Sequence, residues 1–199
     1  MRIKMVLSLV FMIFLVYTLN LFSYTLPKEA DMLKFLPDKV GNWVVDRTFD
    51  FGAEEFGFDS DNSYRSVVKM YKNGNKTISV SINALIVTPI SQQEYEEYEN
   101  FNEVIEFNCK ESTKNTKIQG FDAAVITTDC FDNGMKDNSI MVTFIDDDNF
   151  YFNLVAESII FEIAGFGELF GDSGELATTD DMINFLNMLD LKGIRSLVG

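Results

Sequence analysis

Between residues 64 and 86 apolar and polar positions alternate so regularly that a single antiparallel hairpin accounts for them. Tyr64 to Tyr71 reads as one strand, and Lys72 to Asn75 contains the turn. Ile78, Val80, Ile82, Ala84 and Ile86 then fall on one face of a second strand, with Thr77, Ser79, Ser81 and Asn83 on the other. Asn and Gly at 73 and 74 tolerate the positive φ that tight hairpin turns demand. A period of two predicts a half-buried strand with one wet face.

The same period recurs more weakly over Ile105 to Cys109, Ala123 to Thr128, Ile140 to Ile145 and Phe150 to Val155. "DDDN" joins the last two as a hairpin tip. Ile140, Val142 and Phe144 share a face, as do Phe150, Phe152 and Leu154. "NWVVDRTF" predicts a further strand anchored by Trp43, and Asp50 to Ser63 a loop. Helical signals stand at three places. Glu29 to Leu36 carries Met32, Leu33 and Leu36 on one side, and Pro37 stops it. Ser91 with Glu94 forms a capping box ahead of Tyr95, Tyr98 and Phe101, a narrow apolar stripe on an otherwise acidic helix. Thr179-Asp180-Asp181 opens a last helix with Met182, Phe185, Leu186 and Leu189 as its buried stripe and Gly193 as its end. Strands in runs with helices at the start, middle and end predict an α+β fold, an antiparallel sheet covered by a few helices. Residues 24–199 are expected to form one domain, long enough for a real core.

One segment fits neither period. "ESIIFEIAGFGELFGDSGEL" is apolar and punctuated by glycine. Ile159, Ile160, Phe161, Ile163, Phe166, Leu169 and Phe170 are seven large apolar side chains within twelve residues. Either they fold back into the core or they form an exposed patch that contacts a partner or a membrane.

Residues 1–23 differ from the rest. Arg2 and Lys4 precede an uncharged stretch from Met5 to Phe22. A basic start before an apolar run is the pattern of a secretory signal. The run is long for a signal and close to the roughly 18 residues that indicate a spanning helix. Two readings stay open, a cleaved signal peptide and an uncleaved anchor in the inner membrane through residues 5–22. Both place the remainder outside the cytoplasm, in the periplasm or beyond. The absence of a cysteine near residue 20 excludes a lipid-modified N-terminus.

Charge narrows the partners. The chain has 16 basic and 31 acidic residues. Setting Arg2 and Lys4 aside leaves 14 basic residues (16 less 2) and a net charge of −17. Such a surface repels nucleic acid and anionic membranes, so nucleic acid is not an expected partner and membrane contact is expected only through the N-terminal segment. The two cysteines, Cys109 and Cys130, end strand-like runs, and export makes a disulfide between them the expected state. Two buried free thiols are the alternative.

The chain contains no histidine. That removes Ser-His-Asp and Cys-His catalysis, histidine metal sites and the commonest general base. "GFGELFG" at 165–171 is GxGxxxG without a βαβ context, and no Walker lysine exists, so neither nucleotide nor any other cofactor is expected. Asp59, Asp61 and Ser63 start like an EF-hand loop, but Tyr64 stands where glycine belongs and Met70 where glutamate belongs. Asn75 begins a glycosylation sequon. With 31 acids, pairs of carboxylates are inevitable, and none stands out by spacing.

"FLPDKVGNW", "YKNGNKTISVSI", "GFDAAV", "IMVTFIDDDNFYFNLVAES" and "FLNMLDLKGIRSL" follow one another in an order that resembles a group of small exported bacterial proteins of unknown function. The resemblance spans about residues 40–195. The layout is similar to PsbP/Mog1-like α+β folds. The resemblance implies export and a covered sheet, and it brings no site residues. The expected function is that of a non-catalytic exported module that binds a protein partner or small ligand in the cell envelope. The alternative is a histidine-free hydrolase working through carboxylates.

Overall fold

The structure is a computed structural model that describes residues 24–47, 63–87, 108–130, 134–161 and 175–199. The predicted helix at Ser91 to Phe101 lies outside these residues, as does the segment 1–23. Among the described residues no helix is long and apolar enough to cross a membrane.

Among the described residues nine strands form one sheet. They are β1 (Lys39–Val40), β2 (Trp43–Val45), β3 (Tyr64–Asn73), β4 (Lys76–Ile86), β5 (Cys109–Ile118), β6 (Phe121–Cys130), β7 (Met135–Asp146), β8 (Phe150–Phe161) and β9 (Glu175–Leu176). Eight run in the order β1-β2-β3-β4-β8-β7-β6-β5, each antiparallel to its neighbours. The ninth, β9, pairs parallel with β4 at Lys76 and Thr77, just beyond the last β4–β8 pair at Ser79 and Glu157. Ser158 and Asn138 hold the residue after it. The Ala177 amide donates to Ser158 Oγ at 2.9 Å, and Asn138 Nδ2 donates to the Ala177 carbonyl at 2.8 Å.

The described helices are short: α1 (Glu29–Leu33), α2 (Thr179–Asn187) and α3 (Leu191–Arg195). The α+β expectation is therefore corrected to a sheet-dominated antiparallel fold. The reason is length. Six of the strands run for ten to twelve residues, well past the apolar stretches that announce them, while the helices span five, nine and five. Two boundaries shift as well. Thr178, not Thr179, caps α2, accepting from the Asp181 amide while Asp181 reaches back to the Thr178 amide. Gly193 lies inside α3, where a Cβ would collide with the Phe35 ring and the Asp190 carboxylate.

All three helices pack on one face of the sheet. Val67, Tyr71, Ile78, Val80, Ile82, Ala84, Ile140, Val142, Phe152, Leu154 and Ala156 present the apolar side there. Met32, Met182, Phe185, Leu186, Leu191 and Ile194 meet it from the helices. Phe185 is the centre, edge-on to Tyr71 at 4.9 Å and to Trp43 at 6.2 Å between ring centroids. The Tyr71 hydroxyl, buried, donates to the Pro37 carbonyl at 2.9 Å. A register shift between Thr143 and Ile145 brings both Phe144 and Ile145 against this core, beyond the Phe144 that strict alternation supplies. The β5–β6 turn is tied to the helices too. Gln119, at φ 51°, donates through Nε2 to the Leu186 and Leu189 carbonyls at 3.1 and 2.9 Å, satisfying acceptors that a helix end leaves open.

Candidate functional site

With the helices on one side, the opposite face of the sheet carries its alternate residues without a described helix over them. The register writes them out in rows. Ser66, Asn83, Asn153 and Thr143 stand side by side across β3, β4, β8 and β7. Val68, Ser81, Val155 and Met141 form the next row, and Met70, Ser79, Glu157 and Ser139 the one after. Ser139 is buried and the others are half-buried.

Asn83 is the hub. Its Oδ1 accepts from Ser66 Oγ at 2.7 Å and from the Tyr64 hydroxyl at 3.3 Å. Its Nδ2 donates to Ser81 Oγ at 3.0 Å and to Asn153 Oδ1 at 3.0 Å. An amide has two acceptor and two donor positions, so Asn83 is saturated and its side chain is fixed. Asn153 is not. Its Nδ2 reaches only the soft Met141 Sδ at 3.8 Å, which leaves a directed amide donor on the surface. Thr143 stands directly opposite Asn153 on β7, and the Ser66 and Ser81 hydroxyls are bonded to the neighbouring Asn83. The result is a patch of short polar groups, locked at one end and available at the other.

Carboxylates occupy the same face a few residues along. Asp137 on β7 stands opposite Ile159 on β8 and Thr128 on β6, and Thr128 in turn stands opposite Glu111 on β5. Glu157, two residues before Ile159, is the diagonal neighbour of Asp137. Diagonal positions on antiparallel strands lie roughly 7–8 Å apart, within reach of one another's field. Asp137 Oδ1 is buried and has no hydrogen-bond partner. Burial, then the charges of Glu157 and Glu111, push the Asp137 carboxyl up to about 7. Burial also raises Glu157. A carboxyl that holds its proton near neutrality beside a second one can move a proton to or from a bound molecule.

The other acidic motifs are structural where they are described. In the "DDDN" tip, Asp147 Oδ1 accepts from the Asn149 and Phe150 amides, each at 2.8 Å, and Oδ2 accepts from the Tyr24 hydroxyl at 2.9 Å. The amides and the Tyr24 hydroxyl hold its carboxyl below the usual range. Asp59 and Asp61 lie outside the described residues. Ser63 is buried, and its carbonyl accepts the Ile86 amide at 2.7 Å. Among the described residues no group of three or more acidic or cysteine side chains is placed to hold a metal ion.

Cys109 and Cys130 are bonded to each other. They stand directly opposite at one end of the β5–β6 ladder, with Cα atoms 3.9 Å apart. Of the expected apolar patch, Ile159 and Ile160 are half-buried successive residues of β8, opposite Asp137 and Lys136. Phe161 ends that strand opposite Met135. Ile163, Phe166, Leu169 and Phe170 lie outside the described residues. Sequence reasoning missed Asp137 because "MKDNS" precedes the apolar run that announces β7. It missed Glu157 because β8 continues six residues past Val155. A lone acid inside an otherwise apolar strand, as in "FNLVAESIIF", is the signal that could have singled out Glu157.

No protein-family model and no curated protein matches the chain.

Proposed function

We propose that this chain is an exported module that binds a partner or small ligand in the cell envelope through the polar face of its sheet. The observation that carries the reading is the saturated Asn83 hub beside the under-used Asn153 amide, on the face the described helices leave alone. A fixed hub costs little entropy on binding, and an unfilled donor next to hydroxyls gives direction to a polar ligand. The basic-then-apolar start of the chain, the Cys109–Cys130 disulfide and the order of landmarks shared with small exported proteins support an oxidising, extracytoplasmic location.

The test is a titration of the isotope-labelled full chain with soluble extract and wall digest of the host envelope, followed residue by residue by NMR. Shifts are expected at Ser66, Ser81, Asn83, Thr143 and Asn153. They are expected to weaken at least tenfold in an Asn83→Leu, Asn153→Leu double variant. Shifts confined to other surfaces, or none at all, would remove the binding reading.

One observation favours the second reading. Asp137, with its carboxyl near 7, and Glu157, also raised, are the unequal pair that a carboxylate hydrolase needs. Such an enzyme would cleave some member of a chromogenic glycoside and ester panel between pH 5 and pH 7, conditions chosen to bracket that value. Asp137→Asn would lower the rate by about 100-fold or more. A wild type no faster than that variant on every substrate would end the hydrolase reading.

A further inference from the structure

The sheet ends in a strand whose character differs from the rest of the chain. β5 is ten residues long, pairs with β6 from Cys109 to Ile118 without a register shift, and has no described strand on its outer side. Lys110 to Asn115 and Lys117 are all exposed. A long, flat, unpaired edge is ordinarily a template for another strand. This one is also held in shape at both ends, by the disulfide at Cys109 and by the Gln119 anchor just past Ile118. A strand fixed in advance loses little freedom when a peptide adds to it.

Charge decides what could add. The chain as a whole carries −15, yet β5 holds Lys110, Lys114 and Lys117 against the single acid Glu111. Lys117 is paired with Asp122 on β6, Nζ to Oδ1 at 2.7 Å. Lys110 and Lys114 make no ion pair among the described residues. They lie four apart on one face, both exposed; Lys110 stands opposite Asp129 without an ion pair to it, and Lys114 stands opposite the apolar Val125. Directly opposed like charges destabilise a ladder and opposite charges support it. A second copy of β5 laid antiparallel, centred on Lys114, would set that lysine against itself. We infer that the outer edge of β5 takes up an extended acidic peptide as an added strand. Its carboxylates would be spaced to meet Lys110 and Lys114. This is a different surface from the Asn83 face and does not depend on that reading.

The probe is a fluorescein-labelled ten-residue peptide of alternating threonine and glutamate, titrated into the full chain in a non-ionic detergent. Its counterpart carries lysine in place of glutamate. The glutamate peptide is expected to bind at least tenfold more tightly than the lysine peptide and to weaken as salt rises. A Lys110→Glu, Lys114→Glu variant is expected to lose at least tenfold in affinity for it. On binding, hydrogen exchange is expected to slow at alternate amides of β5 and not at those of β4. No binding, equal binding of the two peptides, or slowing elsewhere would each overturn the inference. So would dimerisation of a Lys110→Thr, Lys114→Thr variant together with undiminished peptide binding, because the lysines would then serve only to keep the edge from pairing with itself.

Discussion

Replacing Cys109 and Cys130 together by serine is expected to lower the free energy of unfolding by about 3 kcal/mol. The cysteines are 21 residues apart in sequence, and closing a loop of that size in the unfolded chain removes entropy worth about that much. The native site adds a local reason. β5 contributes one fully buried apolar side chain, Ile118, at the end remote from the disulfide. At its Cys109 end the strand is held by its ladder to β6 and by the cross-link, with polar side chains on both faces. Loss of the cross-link should therefore fray β5 from residue 109 inward before the sheet as a whole opens. Urea unfolding measures the first effect, and amide exchange along β5 and β6 measures the second. Reducing the wild type with dithiothreitol should reproduce both. A loss below about 1 kcal/mol, or fraying that begins in β3 or β4, would mean that the edge is held by something other than the disulfide.

What the sequence reveals of this fold depends on whether a strand has a dry face. β3 and β4 are read nearly to the residue, because Val67, Tyr71, Ile78, Val80 and Ile82 are fully buried while their neighbours are not, and Gly74 sits at φ 63° in the turn between them. β5 is invisible by the same logic. "CKESTKNTKI" is wet on both faces for most of its length, so no period can mark it, and the alternation read over Ile105 to Cys109, of which residues 105–107 lie outside the described residues, reaches only its first residue. Helix signals behave differently. A cap such as Thr178 with Asp181, or a stripe such as Met182, Phe185 and Leu186, is just as conspicuous on a nine-residue helix as on a long one. Short helices are thus overweighted and polar strand ends underweighted, which is how a sheet-dominated chain comes to read as α+β. The disulfide was legible because the cysteines sit at strand-like ends in a chain that looks exported. The carboxylate pair was not, since Asp137 and Glu157 are distant in sequence and become neighbours only through the pairing of β7 with β8, and burial rather than spacing sets them apart.

Asp137→Asn is expected to change the way stability depends on pH. The carboxyl is raised from 3.8 to about 7 in the folded chain, chiefly by burial. Between those values the folded state keeps a proton that the unfolded state has released. Stability contributed by this group is therefore fully present below about pH 4, falls as pH rises toward 7, and is level above that. A shift of this size corresponds to roughly 4 kcal/mol at full effect, and the remaining contact with water screens it to about 2 kcal/mol. The asparagine variant has no proton to lose, so it should match the wild type near pH 4 and exceed it by about 2 kcal/mol at pH 8. Asp31, Asp38 and Asp181 work in the opposite sense. Lysine partners hold their carboxyls low, and their contribution disappears only as pH falls below the ordinary range. They are common to both proteins and cancel in the comparison. Unfolding curves at pH 4 and pH 8 decide the matter, and parallel pH dependences in the two proteins would show that Asp137 is solvated like any surface acid. If the divergence is found, the chain carries a carboxyl that weakens its own fold at neutral pH. Such a group has no use in holding the sheet together, which directs attention to what the polar face does with its proton.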